Sequence, residues 1–153
     1  LNELAADMAP YRQLKPKIEA AAAGFGTRPE DLRLMLEFAG FDSYEMHRSH
    51  WNVSKDAIKE LKELSLQDGF ELKVVIFPFL WGLEKYPMLP LHDFLKSEIN
   101  GLGVEVIDFL PAMQKAEQKK GGEITLDGVH FSPLGAQLWA EAAAKELGQK
   151  TKD

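Results

Sequence analysis

The chain alternates between segments with helical spacing of apolar residues and two short apolar runs. In segments 57–64, 91–99 and 134–147, apolar residues recur at steps of three and four, which is typical of amphipathic helices. The run 72–77 is rich in Val and Ile and apolar on both faces, as in a buried parallel strand, and 104–107 is a second short run. The order helix, strand, helix, strand, helix predicts an α/β domain with a parallel sheet.

Capping residues predict where several helices begin and end. In the N-terminal part, Gly24 reads as a helix end, and the capping box that begins at Thr27 starts the next helix. Asn52 or Ser54 is expected to cap a longer helix. The pair Ser132-Pro133 opens the last helix.

Composition excludes several classes of function. The chain has 24 acidic and 18 basic side chains, so it offers no basic stripe for nucleic acid. Its longest apolar run, 74–81, is far shorter than the roughly 20 residues of a membrane-spanning helix. It has no cysteine, which excludes disulfides and thiolate catalysis.

Two strands are few for such a domain. A sheet usually has about four to six strands, and a parallel pair alone buries little surface. Residues 1–50 have a helical pattern broken by prolines, so they are not expected to supply further strands. The pattern therefore predicts that the sheet is completed by polypeptide outside this chain, and the start at Leu1 agrees with that expectation.

The strongest candidate for chemistry is the segment Asp127-Gly128-Val129-His130. The Asp-Gly pair favours a turn that can return the Asp127 carboxylate to the His130 ring. A carboxylate on one ring nitrogen fixes the tautomer, and the other nitrogen can then act as a general base. The alternative interpretation is a plain turn before a helix cap, with His130 as a surface residue.

Three segments together resemble the SGNH, or GDSL, hydrolase family. Segment 127–142 has the Asp-x-x-His pair of that family's last block, followed by a small residue, a Gly and an amphipathic helix. Segment 74–78 resembles a late strand ending in Pro, and 103–111 resembles the next strand with its Gly-x-x-x-Ile-Asp-Leu pattern. The resemblance runs over about 50–148.

The resemblance implies a three-layer α/β/α, flavodoxin-like fold and a serine hydrolase that acts on esters or O-acyl groups. Asp127 and His130 match the acid and base of its triad. The family's nucleophile lies in a Gly-Asp-Ser block, which this chain lacks. The expectation is therefore a C-terminal portion of the domain in 51–148, a helical insertion or lid in 1–50 and a tail in 149–153. Its partner is the missing N-terminal part.

Further site assignments depend on the same resemblance. Asn2 is a candidate oxyanion-hole residue, or else an ordinary residue near the chain start. No metal or organic cofactor is implied. A second hypothesis is a non-catalytic relative that binds glycans or partners. A nucleotide-binding module is disfavoured, because no Gly-rich phosphate loop follows either predicted strand.

Two other clusters have competing interpretations. Glu45, His47 and His50 have ligand chemistry, but no fourth ligand lies nearby, which favours a solvated loop over a metal site. Trp51, at a predicted helix entrance, is expected to be a hydrophobic staple or a residue that fills the core. His92 is expected to be solvated. Three aromatic residues follow the first predicted strand: Phe79, Trp81 and Tyr86. We expect them either to line a substrate pocket or to pack within the loop.

Overall fold

The computed structural model describes residues 13–39, 44–120 and 124–148, apart from the side chains of 38, 44–50, 119, 120 and 148. No helix within these ranges is both long and apolar enough to cross a membrane. In chain order the elements are α1 (Leu14–Phe25), α2 (Pro29–Phe38), α3 (Tyr44–Asp68), β1 (Lys73–Ile76), the 3₁₀ helix η1 (Leu83–Lys85), α4 (Leu89–Gly101), β2 (Glu105–Asp108), α5 (Leu110–Lys120) and α6 (Pro133–Gly148).

The two strands form a small parallel sheet in which β1 lies beside β2. Both were predicted: the run 72–77 contains β1, and the run 104–107 overlaps β2. Helix α4 lies in the connection between them, as parallel pairing requires a long crossover. The mixed α/β class is therefore confirmed, with most of the described residues in helices.

The elements fall into two compact units. The first holds helices α1 to α4 and the beginning of each strand. The second holds the end of each strand, the loop after β1, and helices α5 and α6. The candidate residues Asp127 and His130 belong to the second unit.

In the first unit, helix α1 packs against α2 and α4. The side of α1 that is buried carries Leu14, Ile18 and Ala22, which follow one another at steps of four residues. This is the arrangement by which a helix removes one apolar stripe from water. The stripe gives the first unit a core of its own.

The boundaries of α1 and α2 differ from the predicted ones by one or two residues. Helix α1 continues through Gly24 and is capped by Gly26, which has a left-handed φ of 69° and donates its N–H back into the helix. The N-cap position of helix α2 is Arg28 rather than Thr27, and the Arg28 side chain makes no capping hydrogen bond. The reason is Pro29, which takes the first helical turn and keeps the residue before it extended.

Helix α3 begins at Tyr44, well before the predicted caps Asn52 and Ser54. No Gly or Pro occurs between 44 and 54, so helical hydrogen bonding continues through both polar residues. The correction moves Trp51 from a helix entrance to the helix interior. Its ring meets Phe94 edge-on, with 5.7 Å between the centroids, so Trp51 is a packing residue of the first unit.

The expectation that His92 is solvated is wrong, because the residue is only 2% exposed. Helix α4 buries the side that carries His92 and Ile99, and α1 packs against this helix. Asp93 lies on the outer side and pairs with Lys96 at 3.0 Å. Sequence spacing gave the helix correctly but did not identify which of its polar residues faces the core.

The core of the second unit joins the end of β2 to helix α6. Ile107, Phe109 and Ala143 are buried together, and Trp139 packs against them. The Phe109 N–H donates to the Ile76 carbonyl at 3.1 Å, immediately after the paired strands. The carboxyl ends of both strands are thereby held in the unit that contains Asp127 and His130.

Phe109→Ala should lower the free energy of unfolding by about 3–5 kcal/mol, because it empties the site of a ring that is 1% exposed. Urea denaturation followed by circular dichroism measures the change. Phe70→Ala is the matched control, since Phe70 is 46% exposed and should cost much less. Equal costs would contradict the placement of Phe109 in the core.

Candidate functional site: a carboxylate–imidazole pair in a closed turn

Residues 125–131, which lie between α5 and α6, form a small closed loop that contains Asp127 and His130. Thr125 and Phe131 form an isolated antiparallel bridge, and the Leu126 N–H donates to the His130 carbonyl at 2.9 Å. The Thr125 hydroxyl also donates to that carbonyl at 3.0 Å and accepts the Gly128 N–H at 2.6 Å. Hydrogen bonds within the loop therefore hold its two ends together.

The turn at the tip of this loop requires glycine. Gly128 has a φ of 86°, a left-handed conformation that other residues rarely adopt. The Trp81 ring lies directly against it, so that a Cβ added at position 128 would come within 1.8 Å of ring atoms. The turn expected from the Asp-Gly pair is therefore present, and Trp81 adds a second requirement for glycine that the pair alone did not indicate.

The Asp127 carboxylate uses both of its oxygens within the turn. Its Oδ1 accepts the Val129 N–H at 2.9 Å and the His130 N–H at 2.7 Å. Its Oδ2 lies 2.7 Å from Nδ1 of the His130 ring. The contact between this carboxylate and this ring, expected from the spacing of the two residues, is therefore present.

Three hydrogen bonds hold the pKa of Asp127 down to about 2. The His130 N–H has the largest effect, followed by the His130 ring and then the Val129 N–H. Each of them stabilises the ionised form, which is the only form with all its lone pairs available. Asp127 is thus ionised at neutral pH.

The hydrogen bond at one nitrogen of the His130 ring orients the ring, while most of the side chain is exposed to solvent. An ionised carboxylate can only accept, so Nδ1 carries the proton and donates it to Asp127 Oδ2. The remaining atom, Nε2, is then unprotonated in the neutral ring and can take a proton. The His130 side chain is 73% exposed and that of Asp127 is 53% exposed, so the pair is accessible from solvent.

Helix α6 starts directly after this loop, as the pair Ser132-Pro133 predicted. The Ser132 hydroxyl accepts the Gly135 N–H at 3.0 Å, which satisfies one of the unpaired donors of the first helical turn. Ser132 is only 8% exposed. It therefore caps the helix.

An aromatic cluster lies next to the pair and was not anticipated from the sequence. Phe131 follows His130, and its ring lies 6.3 Å from that of Phe77 and 6.5 Å from that of Trp139. Phe77 in turn stacks on Phe109 with centroids 5.6 Å apart, and it remains 46% exposed. The available signal was that Phe77 and Phe109 each directly follow a strand.

The aromatic residues expected to line a pocket have distinct environments. Tyr86 is buried, and its hydroxyl accepts the Phe79 N–H at 2.9 Å. Burial raises the pKa of the Tyr86 hydroxyl above its usual range. Phe79 and Trp81 are half-buried. The Tyr86 hydroxyl thus holds the loop after β1 in place. A role of Phe79, Trp81 and Tyr86 in substrate contact stays a prediction.

A surface groove of about 390 Å³ lies elsewhere in the second unit, between α5 and α6. Its walls combine Ala112 and Leu138 with the charged residues Lys115 and Glu141. Neither Asp127 nor His130 is among its lining residues. It is therefore separate from the carboxylate–imidazole pair.

The roles of other sequence candidates are not tested by the structure. Asn2 lies outside the described residues. Glu45, His47 and His50 fall in the first turns of α3, so the expected loop is wrong here, since no Gly or Pro interrupts the helix. Their side chains lie outside the description. Among the residues whose side chains are described, no three His, Asp or Glu groups are arranged to hold a metal ion.

No family model, curated protein or solved structure matches this chain. Within the described residues, the closed loop brings the titratable side chains of Asp127 and His130 together.

His130→Ala should raise the pKa of Asp127 from about 2, because the hydrogen bond from the ring is lost while both backbone N–H groups still donate. Carboxylate ¹³C shifts followed against pH measure the change. The lowered pKa stabilises the fold above the unfolded carboxyl pKa, and this contribution disappears as the pH falls toward 2.

The control for this titration is Leu126→Ala. Leu126 is 70% exposed and lies in the same loop, and its side chain makes none of the three hydrogen bonds to Asp127. The Asp127 pKa should be the same in this variant as in the wild type. An unchanged pKa in His130→Ala would show that the ring does not contact the carboxylate in solution.

Proposed function

We propose that Asp127 and His130 are the acid and base of a serine hydrolase triad of the SGNH type, acting on an ester or O-acyl substrate. The observation that carries the proposal is the 2.7 Å contact of His130 Nδ1 with an Asp127 carboxylate whose pKa is held at about 2. It leaves Nε2 as a proton acceptor on an exposed ring, which is the role of the base in such triads.

In this mechanism, Nε2 of His130 takes the proton of a serine hydroxyl as the serine oxygen bonds to the substrate carbonyl carbon. Asp127 stabilises the imidazolium that forms, and it does so without taking a proton itself. His130 then returns the proton to the departing alcohol oxygen, leaving an acyl-enzyme. A water, deprotonated by the same nitrogen, releases the acid and restores the serine.

The serine of this triad is proposed to come from another polypeptide segment. The chain contains no Gly-Asp-Ser, and Ser132, the serine closest to His130 in sequence, is used as a helix cap. Asn2 remains a proposed donor to the oxyanion. The same segment is proposed to complete a flavodoxin-like, three-layer fold around β1 and β2.

One feature of the second unit supports an additional segment near the pair. Phe77, at the carboxyl end of β1, is 46% exposed although it belongs to the aromatic cluster. Polypeptide that covers the Phe77 ring would remove its exposed apolar surface from water, which is favourable.

The direct test is a fluorophosphonate probe, which labels activated serines, applied to the protein isolated natively with any segment that accompanies it. Mass spectrometry should find the label on a serine outside the 153 residues, and His130→Ala should abolish it. Asp93→Asn, which alters an exposed carboxylate of the first unit, should leave labelling intact. Absence of label in the wild type would overturn the proposal in favour of a non-catalytic binding module.

The isolated chain should hydrolyse no p-nitrophenyl ester through an acyl-enzyme, because it lacks the nucleophile. The assay compares the rate of p-nitrophenolate release with that of buffer, with and without stoichiometric fluorophosphonate. Any exposed imidazole gives a slow background that the probe does not inhibit. Probe-sensitive turnover that His130→Ala also removes would show that the serine lies within this chain.

In the complete protein, Asp127→Asn should lower kcat by about ten-thousandfold, the loss known for the same change in a serine protease triad. The substitution is informative because the Asn Oδ1 can still accept the Val129 and His130 N–H groups. Only the acceptor for Nδ1–H is lost. KM should change little, since neither side chain is proposed to bind the ground-state substrate.

Asp93→Asn serves as the control for the kinetics as well, because it neutralises an exposed Asp that also pairs with a residue three positions away. Its kcat and KM should equal those of the wild type. A loss of tenfold or less in Asp127→Asn would mean that the carboxylate shapes the turn without supporting the imidazolium.

A further inference from the structure

We propose that Trp81 is a positioning residue for the Asp127–His130 pair, holding the turn between them so that the imidazole keeps its Nδ1–H tautomer. This inference rests on the proposed function, since the tautomer matters only if Nε2 accepts a proton. This role does not require Trp81 to touch the substrate. It acts through Gly128, the residue that follows Asp127.

The indole covers the one position of the turn that has no side chain. A Cβ at Gly128 would lie 1.8 Å from two atoms of the Trp81 ring and 2.3 Å from a third, so the ring occupies the space of a side chain. Trp81 is half-buried there. The contact therefore fixes the tip of the loop from one side, at the residue that joins Asp127 to Val129.

A backbone hydrogen bond accompanies the ring. The Leu80 N–H donates to the Gly128 carbonyl at 2.7 Å, and Leu80 itself is only 3% exposed. The loop after β1 is also held by a second hydrogen bond, in which the Tyr86 hydroxyl accepts the Phe79 N–H. The segment after β1 is thus a fixed support, and it touches the turn through both a main-chain group and a side chain.

The pair needs such a support because its own side chains are largely in solvent. His130 and Asp127 are 73% and 53% exposed, so packing around the ring contributes little to its orientation. A neutral imidazole in water prefers the proton on Nε2. The Nδ1–H form, the only neutral form that can accept a proton at Nε2, is maintained by the hydrogen bond to Asp127 Oδ2. A turn that moves breaks this bond and restores the inactive tautomer.

The test is the tautomer of His130, read from ¹⁵N shifts of the ring in this chain at an alkaline pH, where imidazoles are neutral. The wild type should show the proton on Nδ1, and Trp81→Ala should shift the population toward Nε2. Trp81→Phe, which keeps an aromatic ring near Gly128, should restore most of the Nδ1–H form. Trp51→Ala, which removes an indole that contacts Phe94 in the first unit, should have no effect.

A folded Trp81→Ala variant that retains the wild-type tautomer would overturn the proposal. The readout does not depend on hydrolysis, so the two proposals fail separately. If Trp81→Ala shifts the tautomer but no serine is labelled in the native protein, the positioning role stands and the hydrolase role fails.

A double-mutant cycle keeps the proposal testable if Trp81→Ala folds poorly for the tautomer measurement. Gly128→Ala should destabilise the wild type strongly, because the new Cβ meets the indole as well as an unfavourable φ. In a Trp81→Leu background the planar ring is gone, so the same substitution should cost less. The strain from φ is common to both backgrounds and cancels. Equal costs would show that the indole does not press on Gly128 in solution.

Discussion

The Asp127 carboxylate is the group on which the site depends. One of its oxygens accepts two backbone N–H groups and thereby makes the turn, while the other holds the imidazole of His130. The same three bonds keep the pKa of Asp127 low, so the carboxylate stays ionised. A single side chain therefore shapes the backbone and sets the chemistry of the ring, and the two effects reinforce one another.

Neighbouring elements hold the closed loop in position. Ser132 caps α6 on one side of the loop, and the segment after β1 meets Gly128 through Leu80 and Trp81. The aromatic cluster joins Phe131, directly after His130, to the ends of both strands. An exposed pair of polar side chains can thus be held in a defined arrangement, because the backbone that carries it is anchored in a packed core.

Local sequence signals predicted the elements well and their environments less well. Helix α6 begins at Pro133, as the pair Ser132-Pro133 predicted, and both short Val- and Ile-rich runs contain or overlap strands. The start of α3 was misplaced, because Asn52 and Ser54 favour caps but nothing breaks the helix before them. The burial of His92 was missed for a different reason: spacing shows that a helix has two sides, and the choice of the buried one is made by its neighbours.

The sequence by itself determined the contact between Asp127 and His130, since the two residues are three positions apart and an Asp-Gly turn brings such residues together. It also determined the cap at Ser132, which is equally local. Only the tertiary structure decided that Trp81 lies against Gly128 and that Phe77 meets Phe131. These contacts join segments far apart in the chain, and their geometry is set by the packing of β1, β2 and α6, which no short motif encodes.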